Sequence, residues 1–395
     1  MNNNSKDVVI TSALRTPIGS YRGSLKGLSS DKLGSLAIKE AVHNSNLKSD
    51  DIDEVIIGQV LTSALGQNPA RQAAIHAGIP VSKPAHLINQ VCGSGLRSVV
   101  SAYQSIKLGE NKIVAAGGQE SMSRAPHAIF YRDDKKLLEN KLVDTMINDG
   151  LIDSFNNYHM GVTAENIAEK YKISREEQDL YALRSQEKTQ KAIVENKFKD
   201  EIIKLKINSN KESFIFEKDE HPRKNLDLDD LKKLKTVFKE NGTVTAGNSS
   251  GINDGAAVTI LMSREEAENR SIKPLAKIVS WSTCGVEPSL MGLGPIPAVN
   301  NALKKANWKI EEVDLFEVNE AFAAQSIAVI KDLKIPNEIV NVNGGAIALG
   351  HPIGASGTRI LVSLVHEMRR QNKSKGCATL CIGGGMGIAM CVEKD

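Results

Sequence analysis

The chain has 395 residues, 41% of them hydrophobic, 4% aromatic and 25% charged, and its 50 Lys/Arg against 47 Asp/Glu leave a formal charge of +3. That length implies two or three core-bearing units, and the apolar content excludes wholesale disorder. The near-balance of charge argues against a general binder of nucleic acid or membrane surfaces, and no run approaches the roughly 18 apolar residues of a membrane span.

In chain order, MNNNSKD has neither the apolar stretch of a secretory signal nor the Arg-rich pattern of a transit peptide, so a cytoplasmic protein is expected. Residues 7–19 read as a short buried strand and a loop, and residues 53–57 as a second strand. Cys92-Gly-Ser-Gly-Leu-Arg97 opens a helix whose apolar stripe is Leu96, Val99, Val100 and Tyr103. An apolar strand at 113–118 ends in glycines. Ser174 with Glu177 forms a capping box that starts a long helix reaching about Lys197. Residues 197–239 then carry 12 Lys/Arg and 9 Asp/Glu, most of which read as solvated surface; a few cations, such as Arg223, are candidates to meet an anionic ligand. A strand is expected at 256–261.

The pattern then repeats. Residues 275–284 mirror 7–19, residues 312–316 mirror 53–57, and Gly354-Ala-Ser-Gly-Thr-Arg359 mirrors the Cys92 segment. Leu361, Leu364, Val365 and Met368 form the matching stripe, followed by a strand and glycines at 378–385 and an alternating strand at 387–392. The sequence therefore predicts an α/β fold built twice from layered α/β/α halves, the first half interrupted by about 120–130 residues before its last strand. The expected division is residues 1–122 plus 246–270 for one half, 123–245 for the insertion and 271–395 for the other half. Two similar halves packed about a shared axis bring equivalent helix starts together.

Several residues at those starts suit chemistry. Cys92 at a helix N-terminus sees free N–H groups that favour a thiolate; otherwise it is a small buried residue, as most cysteines are. His351, in Gly350-His-Pro-Ile-Gly-Ala-Ser-Gly357, is brought towards Cys92 by the duplication and is placed to activate a thiol, or else caps a backbone group. Cys381 ends a strand beside a glycine-rich turn whose N–H groups, Gly383 among them, suit an oxyanion. Asn319 precedes a helix as an N-cap, or orients a water or substrate oxygen. The five cysteines, Cys92, Cys284, Cys377, Cys381 and Cys391, are odd in number and make no disulfide framework. Cys377 and Cys381 lie four apart on one strand, about 13 Å, too far to chelate zinc, so no metal is expected.

The strings NQVCGSGLRS, GQESMSRAPH, YHMGVTAEN, GTVTAGNSSGINDGAA, NEAFA, GGAIALGHPIGASG and CIGGGMG occur in order over essentially the whole chain. Together they resemble the thiolase family, in particular its short-chain biosynthetic branch. The resemblance implies acyl transfer between acetyl-CoA molecules. It implies Cys92 as nucleophile, His351 as its activating base and Cys381 as the base for the second acetyl group. It further implies Asn319 as the holder of a water at an enolate oxygen, and the N–H groups of Cys92 and Gly383 as the other oxyanion hole. Leu151, His159, Met160, Arg223, Phe238, Ala246, Ser250, Ala321 and Phe322 align with its coenzyme A positions, Arg223 near the nucleotide and Ser250 near the pantetheine. Coenzyme A is then a substrate and no cofactor is permanently bound; the family's usual assembly is a homotetramer or homodimer, and its setting fatty acid metabolism. HPRKN departs from the family's acidic-Arg-Pro-Arg pattern. The rivals are a degradative thiolase for longer chains, a ketoacyl synthase, against which Cys381 argues, and a non-catalytic acyl-CoA-binding relative.

Overall fold

A ten-stranded mixed sheet organises the chain, and the computed structural model describes residues 7–131, 141–208 and 213–395. Its principal strands are β1 (Val8–Arg15), β2 (Glu54–Gly58), β3 (Ala85–Ile88), β4 (Ile113–Ser121), β5 (Asn253–Ser263), β6 (Ala276–Gly285), β7 (Leu315–Val318), β8 (Lys375–Ile382) and β9 (Met386–Lys394). They lie in the order β7-β8-β9-β6-β1-β5-β4-β2-β3, and a two-residue strand, Gly19–Ser20, pairs with β5. The repeat is visible outward from the β1–β6 seam: β1-β5-β4-β2 on one side matches β6-β9-β8-β7 on the other. A single parallel bridge from Phe316 to Val340 stands where β3 stands in the first half.

Local detail repeats too. β1 and β6 both break register after their third residue, at Ile10/Ser12 and Ile278/Ser280, which is a bulge in each. Asp53 accepts the N–H groups of Lys112 and Ile113 at 2.9 and 3.0 Å, tying down the start of β4. Asp314 does the same for Ser374 and Lys375, at 2.9 and 2.8 Å, ahead of β8. Residues 312–314, expected in a strand, instead end a turn (Ile310–Glu312) so that Asp314 can make those bonds.

The helices that matter are α1 (Ser30–Asn44), α2 (Ser94–Leu108), α3 (Met160–Tyr171), α4 (Arg175–Val194), α5 (Pro295–Ala306), α6 (Ala323–Leu333) and α7 (Ser356–Arg370). Strand alternation sends Val8 and Ile10 to one face of β1 and Val9 to the other. The first face joins both stripes, Leu96, Val99 and Val100 of α2 with Leu361, Leu364, Val365 and Met368 of α7, in a central core between the two halves of the sheet. α1 covers the outer face of one half, and α5 and α6 the outer face of the other. At 0.8 kcal/mol or so per buried methylene, this core is the main stabiliser of the arrangement.

α2 and α7 touch near their starts, and glycine permits it. A Cβ on Gly95 would lie 2.8 Å from Thr358 Oγ1 and 2.9 Å from the Gly354 oxygen; one on Gly357 would lie 2.4 Å from the Leu96 nitrogen. Thr358 Oγ1 donates to the Gly95 carbonyl across this contact at 2.8 Å. Only at such close range do the loops ahead of the two helices meet.

Between β4 and β5 runs the insertion. Its α4 opens with the expected capping box, Glu177 N–H to Ser174 Oγ at 3.2 Å and Ser174 N–H to Glu177 Oε2 at 2.7 Å. The charge-rich segment after α4 is not all solvated. Buried Arg15, at the end of β1, donates to Glu201 at 2.7 Å and bidentately to Asp219 at 2.7 and 2.9 Å, fastening the insertion to the sheet. Among the described residues no helix is long and apolar enough to cross a membrane, and no cluster of His, Cys, Asp or Glu is arranged to hold a metal ion.

Candidate active site

Cys92 sits one residue ahead of the α2 N-cap, Gly93, after a turn that bends at Val91. Val91 has φ of 45°, a left-handed conformation that a β-branched residue seldom adopts. The turn is held by Asn89 Oδ1 accepting the Val91 N–H at 2.9 Å, and by Ser94 Oγ, which accepts from Gln90 N–H at 2.8 Å and donates to the Val91 carbonyl at 2.6 Å. Strain of this kind is stored where the surroundings over-determine a side chain's aim. Here it aims the Cys92 thiol.

The thiol meets the second half of the molecule. The Gly383 amide, from the turn between β8 and β9, is near enough to the Cys92 sulfur to favour its ionised form. Gly384 and Gly385 turn with φ of 83° and 85° and present that amide. Cys381, fully buried at the end of β8, is close enough that charge on Cys92 opposes its ionisation. Cys92 also packs against the apolar cluster of Leu61, Met122, Met146 and Ile353, which brings it to the loop of His351.

His351 lies in that loop with its N–H on Asn253 Oδ1 at 2.9 Å. Its Nδ1 is 2.5 Å from Ser356 Oγ, and Ser356 donates to the Pro352 carbonyl at 2.9 Å. Since the hydroxyl proton is used on Pro352, Nδ1 carries the hydrogen and donates. Nε2 is then the basic nitrogen, and it is buried with no hydrogen-bond partner among the described residues. Both side-chain polar atoms of Asn319 share that condition. The sequence expectation of Asn319 as an N-cap is corrected here: α6 starts at Ala323, with Phe322 as its N-cap, and Asn319 caps nothing. Buried polar atoms without partners are rare enough to call for a ligand-facing role.

The electrostatics follow from burial. It pushes the Cys92 thiol up to about 11, against the pull of the Gly383 and Cys92 amides and with a smaller push from Glu120. The expected thiolate at a helix N-terminus is therefore not the resting state; desolvation outweighs the helix. Burial also raises Cys381 well above an ordinary thiol. His351 is lowered to about 3, by burial first and then by the charge of Arg359. The resting centre is thus a neutral imidazole and two neutral thiols, in which a base must take a proton before sulfur can attack.

Comparison with known proteins agrees with this arrangement. Residues 8–265 match the family description "Thiolase, N-terminal domain" and residues 272–394 match "Thiolase, C-terminal domain". The chain is 53% identical over 387 residues to an acetyl-CoA acetyltransferase of Rhizobium meliloti (strain 1021), covering 98% of each. It is 51% identical over 396 residues to a cytosolic acetyl-CoA acetyltransferase of Rattus norvegicus, covering 100% of each. The crystal structure of the Bacillus anthracis acetyl-CoA acetyltransferase superposes with a TM-score of 0.97 at 44% identity, over 100% of both chains. That of human mitochondrial 3-ketoacyl-CoA thiolase gives 0.96 at 41%, over 99% of this chain and 100% of the other. The chain belongs to the thiolase family.

In this thiolase the positions aligned with coenzyme A fall into groups. Met160, Ala321, Phe322 and Phe238 form one apolar cluster with Cys381. His159 stacks on Phe238 at 4.5 Å, and Phe238 meets Phe322 edge-on at 6.3 Å, so an aromatic wall leads to the second thiol. Leu151 accepts the Met160 N–H at 2.8 Å, and Ser250 donates its N–H to Ala321 at 3.0 Å. Ala246 is exposed two residues beyond buried Val244. Arg223 stands apart, exposed with Lys224 at a cavity of about 420 Å³ beside α4, whereas Phe238 borders another of about 550 Å³. The backbone hydrogen bonds of Arg223 run to Gln186 and Gln190 on α4.

Sequence reasoning passed over the supports. Glu120, fully buried in β4, accepts N–H groups of Val60, Leu61 and Gly354 at 3.0, 3.2 and 2.9 Å, and so links the Cys92 and His351 surroundings. Burial pushes it up to about 8. Asn253 bonds the His351 amide and donates to the Gly19 carbonyl at 3.0 Å. Glu320 accepts from Ser185 at 2.7 Å, Asn341 at 2.9 Å and the Ile347 amide at 3.2 Å, fixing the chain beside Asn319. GQES and NEAFA contained two of these acids, but a carboxylate whose partners are scattered backbone amides leaves no spacing to read.

Proposed function

We propose that this thiolase catalyses the reversible condensation of two acetyl-CoA molecules to acetoacetyl-CoA and CoA through an acetyl-cysteine intermediate. In the first half-reaction His351 Nε2 takes the Cys92 proton and the sulfur attacks the thioester carbonyl. The developing oxyanion lies towards the N–H groups of Cys92 and Gly383, the departing CoA thiolate takes the Cys381 proton, and His351 keeps on Nε2 the proton it took from Cys92. In the second, the Cys381 thiolate so formed removes a proton from the methyl group of the next acetyl-CoA. The enolate oxygen accepts the His351 Nε2–H and a water held by Asn319, the carbanion attacks acetyl-Cys92, and the Cys92 thiolate expelled as acetoacetyl-CoA forms takes back the Nε2 proton. Each oxyanion donor of this kind is worth about 3–4 kcal/mol. Coenzyme A enters as substrate along the His159–Phe238–Phe322 wall. Residues 123–245 serve as the coenzyme-binding unit, between halves formed by 1–122 plus 246–270 and by 271–395, with Ser250 at the pantetheine and Arg223 at the nucleotide. We further read the protein as a cytoplasmic homotetramer or homodimer of fatty acid metabolism with no metal and no tightly bound cofactor.

The observation that carries the reading is the meeting of a half-buried thiol at the glycine turn with a fully buried one, together with His351 Nε2 and an Asn319 amide that have no hydrogen-bond partner among the described residues. A peptide carrying Cys92 should gain an acetyl mass after incubation with acetyl-CoA, and Cys92→Ser should not. Thiolysis should be fastest with acetoacetyl-CoA along a ladder of 3-ketoacyl-CoA lengths; a maximum at longer chains would instead identify a degradative enzyme. Saturable acyl-CoA binding with no turnover would sink catalysis altogether.

A further inference from the structure

Among the described residues, Arg359 is the one large cation buried behind the site whose side chain makes no hydrogen bond. Its side chain is 2% exposed, and Nε, Nη1 and Nη2 all lack an acceptor among the described residues. Its nearest charge is Glu317 Oε2, at 3.6 Å from Nη1, within ion-pair range but beyond hydrogen-bond reach. Arg15, buried nearby, is by contrast satisfied by Glu201 and Asp219.

The placement of the Arg359–Glu317 pair is specific. Arg359 is one turn beyond Ser356, the residue that orients His351. Glu317 is on β7, two residues before Asn319, which directly follows the strand's last residue, Val318. The pair therefore joins the helix that holds the imidazole to the strand that delivers the amide. We infer that Arg359 is a positioning residue for the thiolase reaction, fixing His351 and Asn319 relative to each other through Glu317 and keeping a positive charge behind the imidazole. This rests on the reading of His351 as the base.

Other ionisable groups on the elements packed around His351 do not supply that charge. Cys92 and Cys381 are raised thiols, and burial pushes Glu120 and Glu317 up to about 8, with Arg359 pulling Glu317 back. Asp254, next to Asn253 on β5, is raised by burial as well. None of these thiols and carboxyl groups can carry a positive charge, whereas a buried guanidinium stays protonated. An imidazolium beside it is disfavoured, which keeps Nε2 free to accept a proton.

The test compares Arg359→Met with Arg359→Lys in thiolysis of acetoacetyl-CoA, with rates read within seconds of a pH jump so that acid unfolding does not intrude. For Arg359→Met we expect KM within about threefold, kcat lower by about tenfold or more, and the acid limb of kcat/KM moved up by about one pH unit. Arg359→Lys keeps the charge and should hold the limb near its wild-type position while losing part of kcat. If Arg359→Met does not fold, the double variant Arg359→Met/Glu317→Gln, which strands no buried charge, carries the same two readouts. A folded charge-removing variant with wild-type kcat and an unmoved limb overturns the inference. His351→Asn, run beside them, should be inactive; near wild-type turnover there would overturn the base assignment and this inference together.

Discussion

The starts of α2 and α7 are the same device put to two uses. Each follows a loop, opens on a Ser-Gly pair and carries an arginine as its fourth residue, at the end of the first turn. Around α2 that arginine, Arg97, lies over the Trp281 ring at 5.4 Å and is half-buried, and Cys92 keeps some exposure. Around α7 the first ten residues are all buried, Arg359 included, and His351 with them. On the proposed mechanism the nucleophile must be reached by a substrate and the base must be kept dry, so one duplicated geometry, covered differently, would serve two functions. The difference teaches that the asymmetry of the site comes from what packs over each copy, not from the copies themselves.

That contrast breaks most sharply at the sulfurs. Cys92→Ser should lose acyl-enzyme formation and with it about a thousandfold or more of kcat, while Cys381→Ala should still acylate at Cys92 yet fail to condense. Burst acylation followed by mass measurement separates the two; condensation at near wild-type rate in Cys381→Ala would reverse their roles. Asn319→Ala should cost about 10²–10³ in condensation and much less in acylation, because its amide faces the enolate step. Equal losses in both half-reactions would place Asn319 at the other oxyanion.

Stability reports on the seam itself. Gly357→Ala puts a methyl 2.4 Å from the Leu96 nitrogen, backbone that cannot step aside, and should destabilise by about 2–4 kcal/mol. Gly109→Ala, at a site with open space but φ of 78°, should cost only about 1 kcal/mol. Denaturant midpoints of the two would show whether close approach or backbone angle dominates; a smaller loss at Gly357 would mean that the helices can part.

Much of this was legible beforehand and the reasons are physical. Apolar stripes at 3.6-residue spacing, Leu96 to Tyr103 and Leu361 to Met368, are local signals, and the capping box at Ser174 is complete within four residues. The approach of the Cys92 segment to the loop that carries His351 was legible only through the repeat, since nothing local joins residues so far apart. Three features left no trace. Desolvation of Cys92 depends on everything packed over it, so the helix N-terminus gave the wrong sign for its resting charge. Asn319 looks like an N-cap until the chain is seen to run three more residues before α6. Asp314 looks like strand until its carboxylate is seen to hold β8.

The acid side of the stability curve tests the dry half directly. His351 is held near 3 in the folded chain but titrates near 6.5 when unfolded, so the unfolded state binds the extra proton between those values. Its contribution is fully present above about pH 6.5 and is lost as pH falls towards 3, at up to about 1.4 kcal/mol per pH unit. His351→Asn should flatten the wild-type slope between pH 6 and 4 by about one proton. An unchanged slope would mean that the imidazole takes up a proton in the folded protein, and that α7 does not keep it dry.

The smallest expected effect lies at Val91. Its left-handed φ of 45° costs on the order of 1–3 kcal/mol, and glycine would relieve that at a cost of about 1 kcal/mol in unfolded-chain entropy. Val91→Gly should therefore leave stability within about 1 kcal/mol of wild type or slightly above it. Activity should fall all the same. The valine side chain lies against Gly383, its Cγ1 3.3 Å from where a Cβ there would stand, so it braces the very amide that reaches Cys92. A variant that gains stability and loses kcat shows that the strain serves the aim of the thiol. One that loses stability with kcat intact shows that the bend is imposed by packing alone, and that α2 needs no help to point its cysteine at the other half.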